Sequence, residues 1–457
     1  MAAAEVVICG AGIAGAAAAY HLAVRQRVPN VVIVDAREPL TLTSDKGTMG
    51  YRNWFDGPDD TMARFVGRSV SILEEMADEC GNAFELSRPG YAFVTADAGM
   101  LERLRAQARR LESFGAGAVR EHPGAVPYRP VTGSGVNGQG WRGVPDGADV
   151  LADRQLVREH FPFVNEDAIA VSHVRRAGWM DAMRLGRWML DQATRNGARI
   201  VRDRVTGIDS AGGRLRGVRL ESGGTLSTGR LAIAAGPGLP AALRMLGLDL
   251  PVFLELHAKC RFDDRLGVLP RSAPFTIWTD PVPDLGWSAA ERARFASDPA
   301  TRWLLEPLPG GLHVRPVGEE RDVWLIWTFE SAAHPFEWPP VFDPHLGEVL
   351  VRGFARMAPR AEAYIGEGAR GFVDGGYYAK TPENRPIIGP LPIEGVFVTG
   401  ALSGYGIMAS HAAGELLAAH MTGGSLPSYA DALAPARYAD PVYQRRLENW
   451  DTKAGQL

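Results

Sequence analysis

The sequence is poor in cysteine and has no strong charge of either sign. Its 457 residues include three cysteines, and Cys9, Cys80 and Cys260 form neither a CxxC pair nor a spacing typical of metal sites. We therefore expect no bound metal and a reduced, cytoplasmic setting. The formal net charge of −4 gives no electrostatic reason to bind nucleic acid or an anionic membrane surface.

The chain has one long apolar run, over residues 6–24, and lacks any other. This run approaches the length of a membrane span, but it contains Gly10, Gly12, Gly15 and His21, and no lysine or arginine precedes it. Because a signal peptide needs a basic segment before its apolar core, we expect neither a signal peptide nor a membrane span. A hydrophobic content of 46% suits two or three domains with large cores.

The glycines of this run lie in a strand–turn–helix–strand pattern. A predicted strand ends at Cys9, the loop Gly-Ala-Gly-Ile-Ala-Gly occupies residues 10–15, an alanine-rich helix follows, and a second predicted strand ends at Asp35. The three glycines allow a tight turn, close approach of the backbone to a pyrophosphate and close packing of helix on strand. The first N–H groups of the helix would face the phosphates.

Asp35 completes this pattern. It lies about 20 residues beyond the loop, where a carboxylate accepts hydrogen bonds from the ribose of a dinucleotide. Its negative charge would repel the 2′-phosphate of NADP. The two strands, the loop, the helix and the acid together predict a dinucleotide site and disfavour NADP.

Helical and strand-like patterns alternate from this unit to about residue 250. Amphipathic helical spacing covers residues 61–77, 100–114 and 181–196, and strand-like runs cover 90–94, 198–201, 217–220, 225–226 and 230–235. A stretch rich in glycine and proline over 123–149 is expected to form a long loop or short strands. Residues 250–370 are rich in tryptophan, proline and phenylalanine, and their strand-like runs at 311–316 and 322–329 predict a separate sheet-based domain.

A second glycine-rich turn between a strand and a helix lies near the C-terminus. A predicted strand over 395–400 leads to Ser403-Gly404-Tyr405-Gly406, and an alanine-rich helix follows from Ile407 to about His420. The dipole of that helix could face a second electron-rich group.

These motifs together resemble the D-amino-acid oxidase superfamily, with details similar to monomeric sarcosine oxidase, glycine oxidase and dimethylglycine dehydrogenase. Besides the first loop, the resemblance rests on Ser44-Asp45-Lys46-Gly47-Thr48 with Arg52, Ala234-Ala235-Gly236-Pro237, Tyr378 with Thr381-Pro382-Glu383, and Ser403-Gly404-Tyr405-Gly406-Ile407.

The resemblance implies an α/β fold with a Rossmann-like FAD-binding domain of the glutathione-reductase type. An α+β substrate domain dominated by a mixed or antiparallel sheet would be inserted into it. We expect a discontinuous FAD-binding domain over 1–90, 150–249 and 370–425, a substrate domain over 91–149 and 250–369, and a C-terminal tail over 426–457.

The resemblance also makes FAD, rather than NAD, the expected cofactor. The residues that it assigns to the cofactor are Gly10, Gly12, Ile13, Ala14, Gly15, Asp35, Ala36, Ser44, Thr48, Val205, Ala235, Gly236, Gly376, Gly404, Tyr405, Gly406, Ile407 and Met408. Several members of the superfamily carry the flavin covalently on a cysteine two residues before the tyrosine. Here that position is Gly376, so we expect FAD to be bound non-covalently.

Four residues are candidates for the substrate site. Arg52 matches an arginine that pairs with the substrate carboxylate in sarcosine oxidase, and a guanidinium can bind a carboxylate through two parallel hydrogen bonds. Tyr378 matches a tyrosine of the substrate cavity, and His313 and Arg315 fall near a second such tyrosine. Aromatic residues expected as cavity walls are Trp54, Trp327, Tyr378 and Tyr405.

Two lysines of sarcosine oxidase have no counterpart. The one that helps to bind carboxylate falls at Met408, and the one linked to oxygen activation falls, in a loose alignment, at Leu325. The electron acceptor is therefore left open between O2 and an electron-transfer protein or quinone.

The leading hypothesis is an FAD-dependent enzyme that oxidises the CH–NH bond of a secondary amine or amino acid. Hydride would pass to flavin N5, and the imine would hydrolyse. One alternative is a 2-hydroxy-acid or polyol dehydrogenase on the same fold, with His313 as its base. Another, of a different class, is a flavin-bearing assembly or electron-transfer subunit without a substrate of its own. A flavin monooxygenase is disfavoured because the sequence shows no second nucleotide loop for NADPH.

Overall fold

The computed structural model describes residues 2–131, 141–318, 321–329, 332–366, 371–448 and 450. Part of the expected loop over 123–149, namely 132–140, and the end of the expected tail, 451–457, lie outside the described residues.

The strands and helices are numbered along the chain. The strands are β1 (Ala2–Ala3), β2 (Val6–Cys9), β3 (Val31–Asp35), β4 (Gly50–Arg52), β5 (Tyr91–Thr95), β6 (Val119–His122), β7 (Ala148–Leu151), β8 (Ala170–Val174), β9 (Ala177–Trp179), β10 (Arg199–Arg202), β11 (Val205–Ala211), β12 (Arg214–Leu220), β13 (Thr225–Ser227), β14 (Leu231–Ile233), β15 (Phe253–Asp263), β16 (Phe275–Trp278), β17 (Leu312–Pro316), β18 (Asp322–Ile326), β19 (Phe372–Lys380), β20 (Ile387–Pro390) and β21 (Val396–Gly400). The helices are α1 (Ile13–Tyr20), continued by a π-helical turn (His21–Arg25), α2 (Thr61–Glu79), α3 (Ala98–Ser113), α4 (Arg154–His160), α5 (Ala182–Arg195), α6 (Leu239–Arg244), α7 (Ala289–Ser297), α8 (Leu346–Met357), α9 (Gly406–Thr422), α10 (Ala430–Leu433) and α11 (Pro441–Leu447).

A largely parallel sheet forms the centre of the first region. Its order is β10-β3-β2-β14-β21-β20, and only the β20–β21 pair is antiparallel among the described strands. Successive side chains of a strand point to opposite faces. Accordingly, Ile8 and Ile33 pack with the helices α1, α2, α5 and α9, whereas Val7 and Val32 pack on the other face with the smaller sheet β1-β13-β12-β11. This arrangement confirms the predicted Rossmann-like α/β domain.

Both ends of the chain build this domain. Strand β21 pairs in parallel with β14, and the alanine-rich helices α1 and α9 lie side by side. Their close approach depends on a small residue at 414, because a Cβ on Gly414 would lie 2.8 Å from the carbonyl carbon of Ala17. The two glycine-rich motifs, far apart in sequence, therefore meet in one domain.

The second region is a mixed sheet of order β19-β15-β18-β17-β16-β5-β8-β7-β6. One face is apolar and packs against α8, where Val314, Val323 and Leu325 meet Val349 and Phe354. The insertion of a mixed-sheet domain is thus confirmed.

The opposite face of this sheet is polar and aromatic. Lys259 on β15 pairs with Asp374 on one neighbouring strand, β19, and with Ile326 on the other, β18. Ile326 in turn pairs with His313 on β17. Residues that pair directly across strands share a face of the sheet. Leu325 alternates with these residues and is fully buried in the apolar core, so the position that the loose alignment gave to the lysine does not reach the polar face.

Two strands lie outside the domain boundaries that we expected. Strand β8 pairs with β5 and β7, and β19 pairs with β15 along nine residue pairs; both were expected in the FAD-binding domain but belong to the mixed sheet. The reason is long-range pairing, which the local sequence does not reveal.

The C-terminal segment is packed onto the first domain. Arg437 forms an ion pair of 2.8 Å with Glu383, and both side chains are almost fully buried. Among the described residues, no helix combines the length and the apolar character needed to cross a membrane.

Candidate cofactor and substrate site

A cavity opens where the parallel strands of the first domain end. Ligands of open α/β sheets bind at the carboxyl ends of the strands, and here the ends of β2, β3, β14 and β21 surround the cavity. Its lining residues are Gly10, Gly12, Ile13, Ala14, Asp35, Leu42, Thr43, Ser44, Gly47, Ala234, Ala235, Gly236, Pro237, Tyr377, Tyr378, Ala379, Thr399, Gly400, Ala401, Leu402, Ser403, Gly404, Gly406 and Ile407.

The first loop has no room for a side chain at Gly10 or Gly15. Gly10 has a φ of +110°, and a Cβ there would lie 2.4 Å from the carbonyl oxygen of Ala234. A Cβ on Gly15 would lie 1.9 Å from the carbonyl oxygen of Gly10. The loop thus brings bare backbone and the N-terminus of α1 to the cavity, the arrangement that binds phosphate groups.

Two side chains from outside the loop hold it. One carboxylate oxygen of Asp35 accepts the N–H of Ala11 at 2.7 Å, and the Ser44 hydroxyl accepts the N–H of Ile13 at 2.9 Å. Asp35 and Ser44 therefore connect the loop, the end of β3 and the segment after it.

The second turn closes the opposite side of the cavity. Helix α9 begins there, and a Cβ on Gly404 would meet the ring of Tyr378 at 2.6 Å. The Thr399 hydroxyl is buried at the cavity wall, and no hydrogen-bond partner is found for it among the described residues. A buried hydroxyl without a partner is costly, so a polar ligand group at this wall would satisfy it.

The structure brings most of the expected cofactor residues together at this cavity. Those that line it are Gly10, Gly12, Ile13, Ala14, Asp35, Ser44, Ala235, Gly236, Gly404, Gly406 and Ile407. The expected residues outside its lining are Gly15, Ala36, Thr48, Val205, Gly376, Tyr405 and Met408.

The residues outside the lining have other roles in the fold. Val205 packs in the core between the two sheets of the first domain, and the Tyr405 hydroxyl donates a hydrogen bond of 2.5 Å to the carbonyl of Asn384. The Met408 sulfur accepts the N–H of Arg52 at 3.4 Å. Gly376 packs against the side chain of Lys46.

Sequence reasoning missed several lining residues. Leu42, Thr43 and Gly47 flank the expected Ser44, and residues 399–402 precede the expected Gly404. Because these residues are adjacent in sequence to the motifs, they could have been predicted as cavity residues. Tyr377 and Ala379 flank Tyr378 in the same way.

Arg52 and Arg315 both lie near Tyr91 in one cluster, and Arg315 is buried whereas Arg52 is partly buried. The Arg52 guanidinium carbon is 5.7 Å from the centre of the Tyr91 ring, and its Nε donates to the carbonyl of Trp54 at 2.9 Å. The Arg315 Nε donates to the carbonyl of Thr48 at 2.9 Å. Burial lowers the pKa of Arg315 to about 9 and also lowers that of Arg52 because a charged group loses solvation in the interior.

His313 belongs to the same cluster. Its ring meets Phe275 at 5.6 Å, and its Nδ1 lies 2.5 Å from the carbonyl oxygen of Gly311. Burial lowers the pKa of His313 to about 4, so the imidazole is neutral at physiological pH and its Nδ1 carries the proton toward the carbonyl.

Lys259 is a member of the site that sequence reasoning missed. Its Nζ donates to the carbonyls of Asp45 and Gly47, each at 3.0 Å, and lies 4.3 Å from the centre of the Trp324 ring. Burial lowers the pKa of Lys259 to about 8. Lys259 and Arg315 thus hold three carbonyls of the 45–48 segment, which lines the cofactor cavity at Gly47.

Tyr378 does not join this cluster directly. Strands β15 and β18 lie between its strand and that of His313. Its ring stacks on His257 at 4.1 Å and 17°. His257 in turn contacts Glu255 at 3.0 Å, and the same carboxylate accepts Lys380 at 2.7 Å. Tyr378 therefore forms the wall between the cofactor cavity and a buried polar network.

One of the expected aromatic walls lies beside Arg52 and Tyr91, and another lies elsewhere. Trp54 packs in the apolar cluster of Tyr91 and Phe275. Trp327 donates its indole N–H to the carbonyl of Pro309 at 2.9 Å and lines a different cavity.

A family model described as FAD dependent oxidoreductase matches residues 5–420, and no curated protein sequence matches the chain.

Solved structures share the fold over almost the whole chain. L-proline dehydrogenase from P. horikoshii superimposes with a TM-score of 0.73 at 18% identity, covering 96% of this chain and 98% of that chain. Iminodiacetate oxidase from Chelativorans sp. BNC1 gives 0.69 at 20% identity, with 94% and 98% coverage. Glycine oxidase from Bacillus cereus gives 0.67 at 15% identity, with 94% and 98% coverage.

Proposed function

The chain belongs to the family of FAD-dependent oxidoreductases, and from that premise we propose that it oxidises the CH–NH bond of a secondary amine or amino acid. The observation that carries the proposal is two guanidinium groups near Tyr91, that of the partly buried Arg52 and that of the buried Arg315. A carboxylate on the substrate would compensate this buried positive charge. The names of the structural neighbours, a proline dehydrogenase and oxidases of iminodiacetate and glycine, support the same substrate class.

The cavity residues fit FAD. The glycines of the first loop and the start of α1 would hold the pyrophosphate, Asp35 the ribose, and Thr399 with the start of α9 the polar edge of the flavin. Gly376 has no side chain that could attach the flavin covalently, which supports non-covalent binding. When bound, FAD supplies the hydride acceptor.

The protein's own side chains would bind, orient and desolvate the substrate. Arg52 would bind the carboxylate and fix the substrate's orientation, which is a large part of catalysis when the acceptor is already in place. Tyr378, Tyr91 and Phe275 would exclude water. In such surroundings the pKa of an amine falls, which favours the neutral form whose lone pair assists loss of hydride. No strong general base is then required.

A second candidate reaction is the oxidation of a 2-hydroxy acid. Neutral His313 favours it, because a neutral imidazole can take the hydroxyl proton. His313→Gln should abolish the oxidation of an alcohol and only weaken that of an amine.

An anaerobic screen of flavin reduction would test the proposal. Secondary amines, amino acids and hydroxy acids are added to the oxidised holoenzyme, and loss of the flavin absorbance is recorded. We expect bleaching by an amine or amino acid. Bleaching by hydroxy acids alone would favour the second candidate, and flavin that no compound bleaches would indicate a flavin-bearing subunit. Repeating each hit with O2 and with an artificial acceptor separates oxidase from dehydrogenase.

Arg52→Ala tests the role of the arginine. If the carboxylate pairs with a desolvated guanidinium, the loss should equal roughly 2–4 kcal/mol and appear mainly in KM. Arg52→Lys is the matched control, since it keeps the charge but not the two-pronged geometry, and it should recover part of the loss. An unchanged KM for Arg52→Ala would remove Arg52 from the substrate site.

A further inference from the structure

A second cavity of about 620 Å³ adjoins the cofactor cavity. It lies at the end of β18, where the chain leaves the mixed sheet, and it is bounded by His257 and Thr328 on one side. Because the rings of His257 and Tyr378 are stacked at 4.1 Å and Tyr378 lines the cofactor cavity, this ring pair is the wall that the two cavities share.

Aromatic rings form much of the lining of this second cavity. Trp303 and Phe329 are stacked at 5.5 Å and 24°, and Trp327 meets Phe329 edge-on at 5.9 Å. Phe342 is a further member. The indole N–H of Trp327 is already bonded to Pro309, so this ring offers its π surface rather than a donor.

Apart from the histidines at 257 and 334, the ionisable residues of the described lining are acidic. Glu306 and Asp343 line the cavity, and both side chains are exposed, whereas no lysine or arginine is among the described lining residues. Asp343 is oriented by hydrogen bonds from the backbone N–H of His345 at 2.7 Å and from its ring at 3.0 Å. Burial lowers the pKa of His257 below its ordinary value, which disfavours a positive charge on that ring.

From this combination we infer that the second cavity binds a small organic ammonium ion with an apolar substituent. Aromatic faces attract a cation that is partly desolvated, the carboxylates attract it over a longer range, and the apolar substituent gains from burial. An anionic ligand would meet two carboxylates and no lysine or arginine among the described lining residues. Amines are protonated in water, so this is the form in which an amine reaches the protein.

The inference gives the proposed reaction a substrate class: amines or amino acids that carry an aromatic or branched apolar group, the carboxylate of an amino acid being left for Arg52. As a statement about substrates it rests on the proposed amine oxidation, whereas the binding itself does not. The shared ring pair would then separate a cavity that accepts the charged amine from the cavity in which it is oxidised.

The test compares ligands of one shape and different charge on the oxidised holoenzyme. Benzylammonium, benzyl alcohol and benzoate are titrated while tryptophan fluorescence is recorded, since Trp303 and Trp327 lie in the cavity. We expect benzylammonium to bind more tightly than benzyl alcohol and benzoate not to bind. Equal affinities for the ammonium and the alcohol would overturn the inference.

Two variants assign the binding to this cavity. Trp303→Leu should weaken benzylammonium binding by about 3- to 30-fold, the range of a cation–π contact. Glu306→Gln removes an exposed carboxylate and should weaken binding by about 2- to 5-fold. The controls are Glu362→Gln, an exposed carboxylate elsewhere on the surface, and Trp338→Leu, a tryptophan that stacks on Arg37 outside the cavity. Unchanged affinity in both cavity variants would refute the assignment.

Recording flavin absorbance anaerobically in the same samples separates the two proposals. Binding that depends on Glu306 without bleaching by any amine supports the cavity and contradicts amine oxidation. Bleaching by amines whose binding is indifferent to Glu306 and Trp303 supports amine oxidation and contradicts the cavity.

Discussion

The cofactor cavity and the polar face of the mixed sheet opposite it depend on different structural features. Around the cavity, the decisive features are backbone turns with no room for side chains, at Gly10 and Gly404. On the sheet face they are the long buried cations Lys259 and Arg315, whose donors are bonded to backbone carbonyls.

This difference determines what a substitution does in each region. A backbone turn that touches a neighbouring carbonyl cannot relax around an added methyl group, so changes there should act on folding and on cofactor binding together. A buried cation that orients a carbonyl can be exchanged for another donor, so changes on the sheet face should act on affinity and on pH dependence while the fold persists.

The largest effect is expected from Gly15→Ala. The new Cβ would lie 1.9 Å from the carbonyl oxygen of Gly10, and the only relief is a shift of α1 away from the loop. We expect a loss of stability of more than about 3 kcal/mol and FAD binding weakened at least about 100-fold, measured by urea unfolding and by flavin titration of the apoprotein.

Gly67→Ala is the matched control, because it adds the same methyl group inside another helix. No atom lies within 4 Å of the Cβ at that position, so this variant should be more stable by about 0.5–1 kcal/mol. If Gly15→Ala behaved like Gly67→Ala, the close backbone contact at the first loop would have no energetic importance.

Much of the fold could be predicted from sequence because its signals are local. The loop at 10–15, the acid at 35 and the amphipathic helices are each contained in a short window, and the structure gives α2 and α5 within two residues of the predicted bounds. The assignment of β19 differed because its place is determined by pairing with β15, more than a hundred residues away.

The polar sheet face could be predicted only in part, for a related reason. In β15, Glu255, His257 and Lys259 alternate with apolar residues, a pattern that ordinarily marks a strand with one face in water. Here Lys259 is buried against the 45–48 segment of the other domain. Nothing local distinguishes a polar face covered by another domain from one covered by solvent, so His313 and Arg315 were found by resemblance and Lys259 was missed.

A smaller effect concerns acid stability in the first domain, at His21 and His411. Burial lowers the pKa of each to about 3, and for His411 the neighbouring His21 lowers it further. Both are therefore neutral in the folded protein but take up protons near pH 6.5 when unfolded. Their contribution to stability is complete above about pH 6.5 and is lost as the pH falls toward 3.

His411→Leu removes one of these titrations. The loss of unfolding free energy between pH 7 and pH 5 should become smaller by about 1–3 kcal/mol, as measured by urea unfolding at both pH values. His345→Leu, at a partly exposed histidine, is the control and should keep the loss of the parent protein. An identical loss in His411→Leu and the parent would show that His411 has the same protonation state in the folded and the unfolded protein.

The smallest effect, and the one that most directly separates the two regions, is expected from Lys259→Met. The variant leaves the carbonyls of Asp45 and Gly47 without their buried donor, so the segment that lines the cavity at Gly47 should lose its fixed position. We expect FAD to bind about tenfold more weakly, equivalent to about 1.4 kcal/mol, with the fold intact. Lys259→Arg should recover part of the affinity. Arg261→Met, two residues further along β15 and exposed beside Asp322, should bind FAD like the parent.

Because the pKa of Lys259 is lowered to about 8, the affinity of the parent protein for FAD should fall as the pH rises through 8, and Lys259→Met should not show that fall. A parent affinity that is constant from pH 7 to 9, together with an unchanged affinity in Lys259→Met, would mean that the cavity needs only its own backbone turns and no support from the sheet.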